Sequence, residues 1–498
     1  MKQMKILAFV LTILLILSAC SGGEGVSSGQ DETGFLSQLP SSEPSFSQPV
    51  SSQASSQASS SQTSSQPSSS QPSSSQLSSS QPVSLVPSSI APVFSEEVFT
   101  LRYTTSDVNL RTGPGTTYAI LATVPSREAV KAYETQNGWT RVIYKNQNGY
   151  MNTTYLAAQP PLSTEDRINA ILNGMTLEEK VGQMFFVRCR KNTAVADIKQ
   201  YHPAGYILFA NDVEGETPDS LKAKIERYQT AANVPLLIGV DEEGGTVTRV
   251  SRFAAFRSER FASPQDLFAQ GGLDKVARDA REKSVFLKNL GFNVNLAPVC
   301  DLSTDPGDFI YPRAFGQDAA ATSAYVKTVV SAMKGSGMGS TLKHFPGYGN
   351  NVDTHTGIAQ DPRSYETFVT ADFLPFQAGI AAGADSVLVS HNVVASMDPN
   401  LPASLSPKVH EILRRELGFH GVVMTDDLVM NAIRQYTGNE QAAVQAAQAG
   451  NDLLIATDFN VQIPAVVQAV KEGRIPLDQV EQSVRRVLRW KMRMGLLG

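Results

Sequence analysis

Eight short, almost wholly apolar runs recur along the C-terminal two thirds of the chain: VGQMFFVRC (181–189), AGYILF (204–209), PLLIGVD (235–241), VNLAPV (294–299), GSTLKHF (339–345), SVLVSH (386–391), GVVMTDD (421–427) and DLLIA (452–456). Runs without polar alternation suit strands buried on both faces, as in parallel sheets covered by helices. Between most of them lie amphipathic stretches such as SLKAKIERYQTAAN and SPKVHEILRRELG. Strands and helices alternating in this number predict an α/β fold, a (β/α)8 barrel of the TIM type over residues 160–498. A doubly wound open sheet is the rival. No glycine-rich nucleotide turn follows the first strand, and polar residues gather at the C-terminal ends of many strands, which favours the barrel.

The rest of the 498-residue chain is of different character. Residues 1–20 carry Lys2 and Lys5 and then an apolar run from Ile6 to Leu17, shorter than the roughly 20 residues of a membrane span. This reads as a secretory signal. It ends in Leu17, Ser18, Ala19 and Cys20, which resembles the bacterial lipobox, and the resemblance implies lipidation at Cys20 and a membrane anchor outside the cytoplasm. Residues 21–97 are serine, glutamine and proline with few large apolar groups and no Lys or Arg, a composition expected to form a disordered tether. Residues 98–158 change again, to short alternating strands separated by GPG and NG turns, the pattern of a small β-barrel.

Composition also excludes functions. A net charge of −5 with no basic stripe argues against a nucleic-acid partner. Cys189 and Cys300 sit in apolar runs and read as buried reduced thiols, and no cysteine or histidine spacing suggests a metal site. No Gly-x-Ser-x-Gly elbow is present.

If the fold is a barrel, the ionisable residues at the strand ends converge on one face. These segments are VDEEGGTVTR, VCDLSTDPGDFIYPRAFG, KHFPGYGNNVDTH, SHN and TDDL. Three of the six histidines, His344, His355 and His391, fall in this set. Carboxylate and histidine chemistry remains, with Lys343, Arg249 and Arg313 as donors, and such groups of both signs suit a neutral, hydroxyl-rich substrate.

The motifs MTLEEKVGQMF, GVDEEGGTVTR, PRAFG, KHFPGYGNNVDTH and GFHGVVMTDDLVM, in this order, resemble glycoside hydrolase family 3, most closely its β-N-acetylglucosaminidase branch. The resemblance spans roughly residues 163–498. It implies Asp426 as the nucleophile, His355 as general acid/base and Asp353 as its orienting partner. It also implies that Asp241, Arg249, Arg313, Lys343 and His344 bind the sugar, with no metal or organic cofactor. The string VNLRTGPGTTYAILATV, with Trp139 and Tyr150 beyond it, resembles the bacterial Src-homology-3-like domain, whose members bind cell-wall peptides. Trp139 and Tyr150 are groove candidates, and ordinary burial preferences favour a core position for Trp139.

The chemistry fits the residue types. Retaining glycoside cleavage needs one ionised carboxylate to attack and a second group to protonate the leaving oxygen. A histidine with an unperturbed pKa of about 6.5 can both give and take a proton near neutrality. In the β-glucosidase branch the acid/base comes from a second domain. The stretch after Asp426 is expected to be too short for one, which leaves the Asp353–His355 loop. One departure stands out: Tyr348 occupies a position where the branch carries histidine, and the loop to Asp353 is a residue shorter.

The expected activity is exo-hydrolysis of β-linked N-acetylglucosamine from peptidoglycan fragments or chito-oligosaccharides. The alternatives are another β-glycosidase specificity, phosphorolysis, or a wall-binding lipoprotein without catalysis.

Overall fold

In the computed structural model of the protein, residues 98–354 and 357–497 are described. The signal segment with Cys20, the 21–97 tether and His355 lie outside them. Among the described residues no helix is long and apolar enough to cross a membrane.

The N-terminal module is an antiparallel sheet of seven strands between Thr100 and Ala157. Its hairpins follow from local chemistry. Asn137 and Gly138 both take positive φ between the Ala129–Gln136 and Trp139–Tyr144 strands, and Lys145 and Asn146 do the same before Gln147–Asn152. Val108, Leu110, Val124, Val130, Val142 and Met151 form its core. Trp139 is not among them. It is half-buried, as is Tyr150, and it begins a strand directly after the 137–138 turn.

From Ser163 onward the chain is the barrel. Ser163 caps its first helix, Thr164–Asn173, with a reciprocal Ser163–Asp166 hydrogen-bond pair. The strands are β1 (Phe185–Arg188), β2 (Gly205–Ile207), β3 (Leu237–Val240), β4 (Val294–Asn295), β5 (Gly339–Phe345), β6 (Ser386–Val389), β7 (Val422–Thr425) and β8 (Leu454–Ala456). Each of the eight apolar runs contains one of them. They pair in chain order, all parallel, and β8 returns to β1 with Leu454 opposite Phe185. A parallel bridge between Met424 and Leu453 brings β7 to the start of β8 and completes the ring.

Continuous apolar runs are needed because both faces of each strand are covered. Phe186, Ile207, Leu237, Val294, Leu388, Met424 and Ile455 fill the lumen, while Phe185, Val187, Ile238, Val387 and Val423 pack outward under the helices. Each large apolar side chain buried completely contributes ~1.5–3 kcal/mol. The C-terminal helix, Leu477–Arg493, sends Val487 and Trp490 into the lumen cluster, with Met494 beyond them. A Cβ on Gly339 would lie within 3.0 Å of both the Trp490 ring and the Met494 sulfur, so glycine there admits this plug. β5 adds nothing to the apolar lumen. Leu342 and Phe345 face the outer core, and Lys343 lies between them.

Candidate active site

Because the strands are parallel, their C-terminal ends open on one face, where a pocket of about 290 Å³ lies. Asp241, Glu243, Arg249, Arg313, Lys343, His344, Asp426 and Asp427 line it together with Arg188 and Phe209. A larger open groove, about 790 Å³, runs between the outer helices Asn439–Ala449 and Phe459–Lys471, but it gathers only Glu440 and Arg474 as charged groups. Convergent ionisable side chains, rather than volume, mark the site.

Its centre is a buried charge network. Lys343 Nζ lies 2.6 Å from Asp241 Oδ1 and 2.5 Å from Glu243 Oε1. Arg313 grips Glu243 with two parallel bonds, Nε to Oε2 at 3.0 Å and Nη2 to Oε1 at 2.8 Å. Burial alone would raise the pKa of Glu243, but the charges of Arg313 and Lys343 outweigh it and hold the carboxyl well below the usual range. Burial likewise opposes the Lys343 charge, and Asp241 and Glu243 overcome it. The local chain makes this possible. Gly244 and Gly245 turn the backbone at positive φ immediately after Glu243, and a Cβ on Gly244 would strike the Ala262 carbonyl at 2.2 Å.

His344 is committed at both ring nitrogens. Nδ1 meets Asp301 Oδ2 at 2.7 Å, and Nε2 meets Arg313 Nη2 at 3.1 Å. A guanidinium can only donate and a carboxylate can only accept, so Nδ1 carries the proton and Nε2 accepts from Arg313. His344 is thereby fixed in orientation. It has no ring nitrogen left for moving protons.

Glu242 is fully buried and serves the neighbouring loop. Its Oε2 accepts from the backbone N–H groups of Arg249 and Val250, both at 2.8 Å. This anchors the backbone that carries Arg249, whose buried Nε has no acceptor among the described residues. The guanidinium carbon of Arg188, at the end of β1, lies over the Phe209 ring, 4.2 Å from its centroid.

At the end of β7 the two adjacent aspartates differ. Asp427 is tied into the scaffold: Oδ2 accepts from Thr457 Oγ1 at 2.6 Å and Oδ1 from Val429 N–H at 3.1 Å. Burial pushes its pKa up. Asp426 accepts the Asp427 N–H at 2.8 Å and lines the pocket. His391 is fully buried, bonded to Ser404 Oγ and to the Asp427 carbonyl, and does not line the pocket. Of the histidines grouped by sequence at the strand ends, this one supports the backbone beneath the site.

Asp353 is half-buried on the loop after β5. The base of that loop is stapled by Arg363, which donates to the Gly347 carbonyl at 3.0 Å and pairs with Asp361 and Asp372. The structure thus brings Asp241, Arg249, Arg313, Lys343, His344 and Asp426 into one pocket.

Sequence reasoning passed over Glu242, Glu243, Asp301 and Arg188. The acidic triplet in VDEEGG and the first aspartate of VCDLSTD were the available signals, since carboxylates directly after a barrel strand either line the pocket, as Glu243 does, or brace its walls, as Glu242 and Asp301 do. Cys189 and Cys300 are buried thiols, and burial pushes Cys189 up to about 12.

A barrel with carboxylates, cations and a fixed histidine at the C-terminal ends of its strands is compatible with a glycoside hydrolase, one of several enzyme classes built on this architecture. The chain matches the glycosyl hydrolase family 3 N-terminal domain over residues 176–490 and belongs to that family. Residues 106–157 match the bacterial SH3 domain.

Among its relatives, β-hexosaminidase LpqI of Mycobacterium tuberculosis is 31% identical over 326 residues, covering 63% of this chain and 82% of that one. A β-hexosaminidase of Stenotrophomonas maltophilia is 38% identical over 262 residues, covering 51% and 75%. Among solved structures, a family 3 β-N-acetylglucosaminidase from Paenibacillus sp. superposes with a TM-score of 0.62 at 32% identity, covering 65% of this chain and 63% of that one.

Proposed function

We propose that the protein is an exported, retaining exo-β-N-acetylglucosaminidase, anchored to the bacterial membrane through lipid on Cys20. Its substrates would be terminal β-linked N-acetylglucosamine residues of peptidoglycan fragments or chito-oligosaccharides, and its small β domain would hold wall peptide. The single observation that carries the catalytic reading is the contrast at the end of β7. Both aspartates line the pocket shared with Asp241, Arg313, Lys343 and His344, but the two carboxylate oxygens of Asp427 accept from Val429 N–H and Thr457 Oγ1. The named activities of the β-hexosaminidase and β-N-acetylglucosaminidase relatives support the sugar specificity.

In this reading Asp241, Arg249, Arg313 and Lys343 bind the sugar hydroxyl and acetamido groups, and His344, which lines the same pocket, holds the Arg313 guanidinium in place. A carboxylate oxygen of Asp426 attacks the anomeric carbon as the glycosidic C–O bond breaks, and the departing oxygen takes a proton from His355. Asp353 stabilises the imidazolium form beforehand. Water then attacks the glycosyl ester, gives a proton to His355 and releases Asp426 as the carboxylate. The two inversions leave the anomeric configuration retained.

The test is hydrolysis of an aryl β-N-acetylglucosaminide followed by NMR from the first turnover, with trapping by a fluorinated glycoside. A β-configured first product and an adduct on Asp426 are expected. An α-configured first product would overturn the mechanism.

A further inference from the structure

We propose that Tyr348 is a positioning residue whose hydroxyl sets the Asp353–Thr354 turn relative to the sugar-binding pocket. This rests on the reading of Asp353 and His355 as the proton-transfer pair.

The side chain is almost wholly buried, 3% exposed, and each of its polar groups has a defined task. Its backbone N–H donates to Asp301 Oδ1 at 2.8 Å. The other oxygen of Asp301 accepts from the His344 ring at 2.7 Å and from the His344 backbone N–H at 3.1 Å. One carboxylate therefore fixes both the pocket histidine and the start of the loop. The Tyr348 ring sits edge-on to the His344 ring at 5.7 Å and against Phe309 at 5.7 Å.

The phenolic oxygen then reaches forward along the chain. It accepts the Thr354 N–H at 2.9 Å and lies 3.0 Å from Thr354 Oγ1. Thr354 is itself buried and stands between Asp353 and His355 in the sequence. Asn351 closes the intervening turn, donating to the Tyr348 carbonyl and to Asp361 Oδ2, both at 2.8 Å. Burial, with the charges of Asp426 and Asp353 acting in the same direction, pushes the phenol up to about 12, so it stays a neutral hydroxyl able to accept and donate. The chain His344, Asp301, Tyr348, Thr354 joins the rigid end of β5 to the turn of Asp353 and Thr354, which His355 follows in the sequence. Phenylalanine would keep the ring packing and leave the buried Thr354 N–H without an acceptor.

The experiment compares kcat/KM of the full-length protein and Tyr348→Phe on two β-N-acetylglucosaminides. A 2,4-dinitrophenyl glycoside has an aglycone that departs without protonation. A glycoside of a second sugar needs the proton. Loss of about five- to tenfold on the sugar glycoside, with less than about twofold on the dinitrophenyl glycoside, is expected for one lost hydrogen bond felt only at proton transfer.

Thr354→Val removes Oγ1 and keeps the N–H, and should show the same selective loss to a smaller degree. It serves as the test if the tyrosine variant does not fold. Equal losses on both glycosides, or none on either, would overturn the proposal. Absence of turnover of either glycoside by the unaltered protein would sink the glucosaminidase reading first, and the role of Tyr348 with it.

Discussion

Lys343 and Glu243 meet at 2.5 Å with both side chains buried, and Glu243 binds Arg313 through both of its oxygens at the same time. Two cations thus share one carboxylate at the floor of the pocket. Removing that carboxylate strips buried Arg313 of this ion pair and leaves Lys343 with Asp241.

Glu243→Gln should therefore destabilise the fold by ~3–5 kcal/mol, the usual loss when one partner of a buried ion pair is deleted. Because the folded-state pKa of Glu243 lies below its ordinary value, its contribution is complete above the ordinary carboxylate range and is lost as pH falls through the folded value. Urea titrations from pH 7 down to pH 3 should show a shallower acid-side decline in the variant. A parallel decline in both proteins would contradict the assignment.

Asp426→Asn should lower kcat on an aryl β-N-acetylglucosaminide by on the order of 10⁴-fold, as expected for loss of a nucleophile. Asp427→Asn, altering a residue bound to Thr457 and Val429, should retain at least about a hundredfold more activity than Asp426→Asn. Reversal of that order in steady-state assays would exchange the two roles.

Asp301→Asn weakens a charge-assisted bond to His344, a change of ~1.5–3 kcal/mol. With the imidazole no longer pinned toward Arg313, KM should rise by about tenfold while kcat on an activated aryl glycoside falls less. A fall confined to kcat would mean that His344 acts in the chemical step rather than in binding.

Lys491 is fully buried, with Nζ donating to Gln183 Oε1 at 2.8 Å, and burial pulls its pKa down to about 7. The unfolded chain keeps the ordinary lysine value, so between about pH 7 and pH 10 it binds more protons than the folded one, and stability rises with pH. The cost of the buried ammonium is fully present below that window. Lys491→Met should raise the melting temperature most at pH 6–7, with the gain fading toward pH 10. Thermal melts across that range check it, and a gain independent of pH would indicate repacking alone.

The eight strands, their order and the face on which the strand-end motifs meet were legible because each depends on local pattern. A run apolar on both faces reads as a buried parallel strand wherever it falls. The motifs also placed Asp241, Arg249, Arg313, Lys343, His344 and Asp426 at strand ends or in the loops beyond them, which a parallel barrel must bring together. What the sequence could not rank was the company those residues keep. Asp241 and Lys343 are 102 positions apart, and Asp301 and His344 are 43 apart, so no spacing rule links them.

The same limit explains His391 and Tyr348. A histidine at a strand end and a tyrosine in a glycine-rich loop look equally functional on paper. Only the closed barrel decides that one braces the Asp427 backbone and the other spans from Asp301 to Thr354. By itself the sequence determined the strands and which motifs meet at their C-terminal ends, because strand patterning is short-range, although it passed over Glu243 and Arg188 in the pocket and grouped His391 there. Tertiary structure decided which of them hold charge, hold a neighbour or face substrate, because burial and hydrogen-bond pairing exist only once distant segments have met.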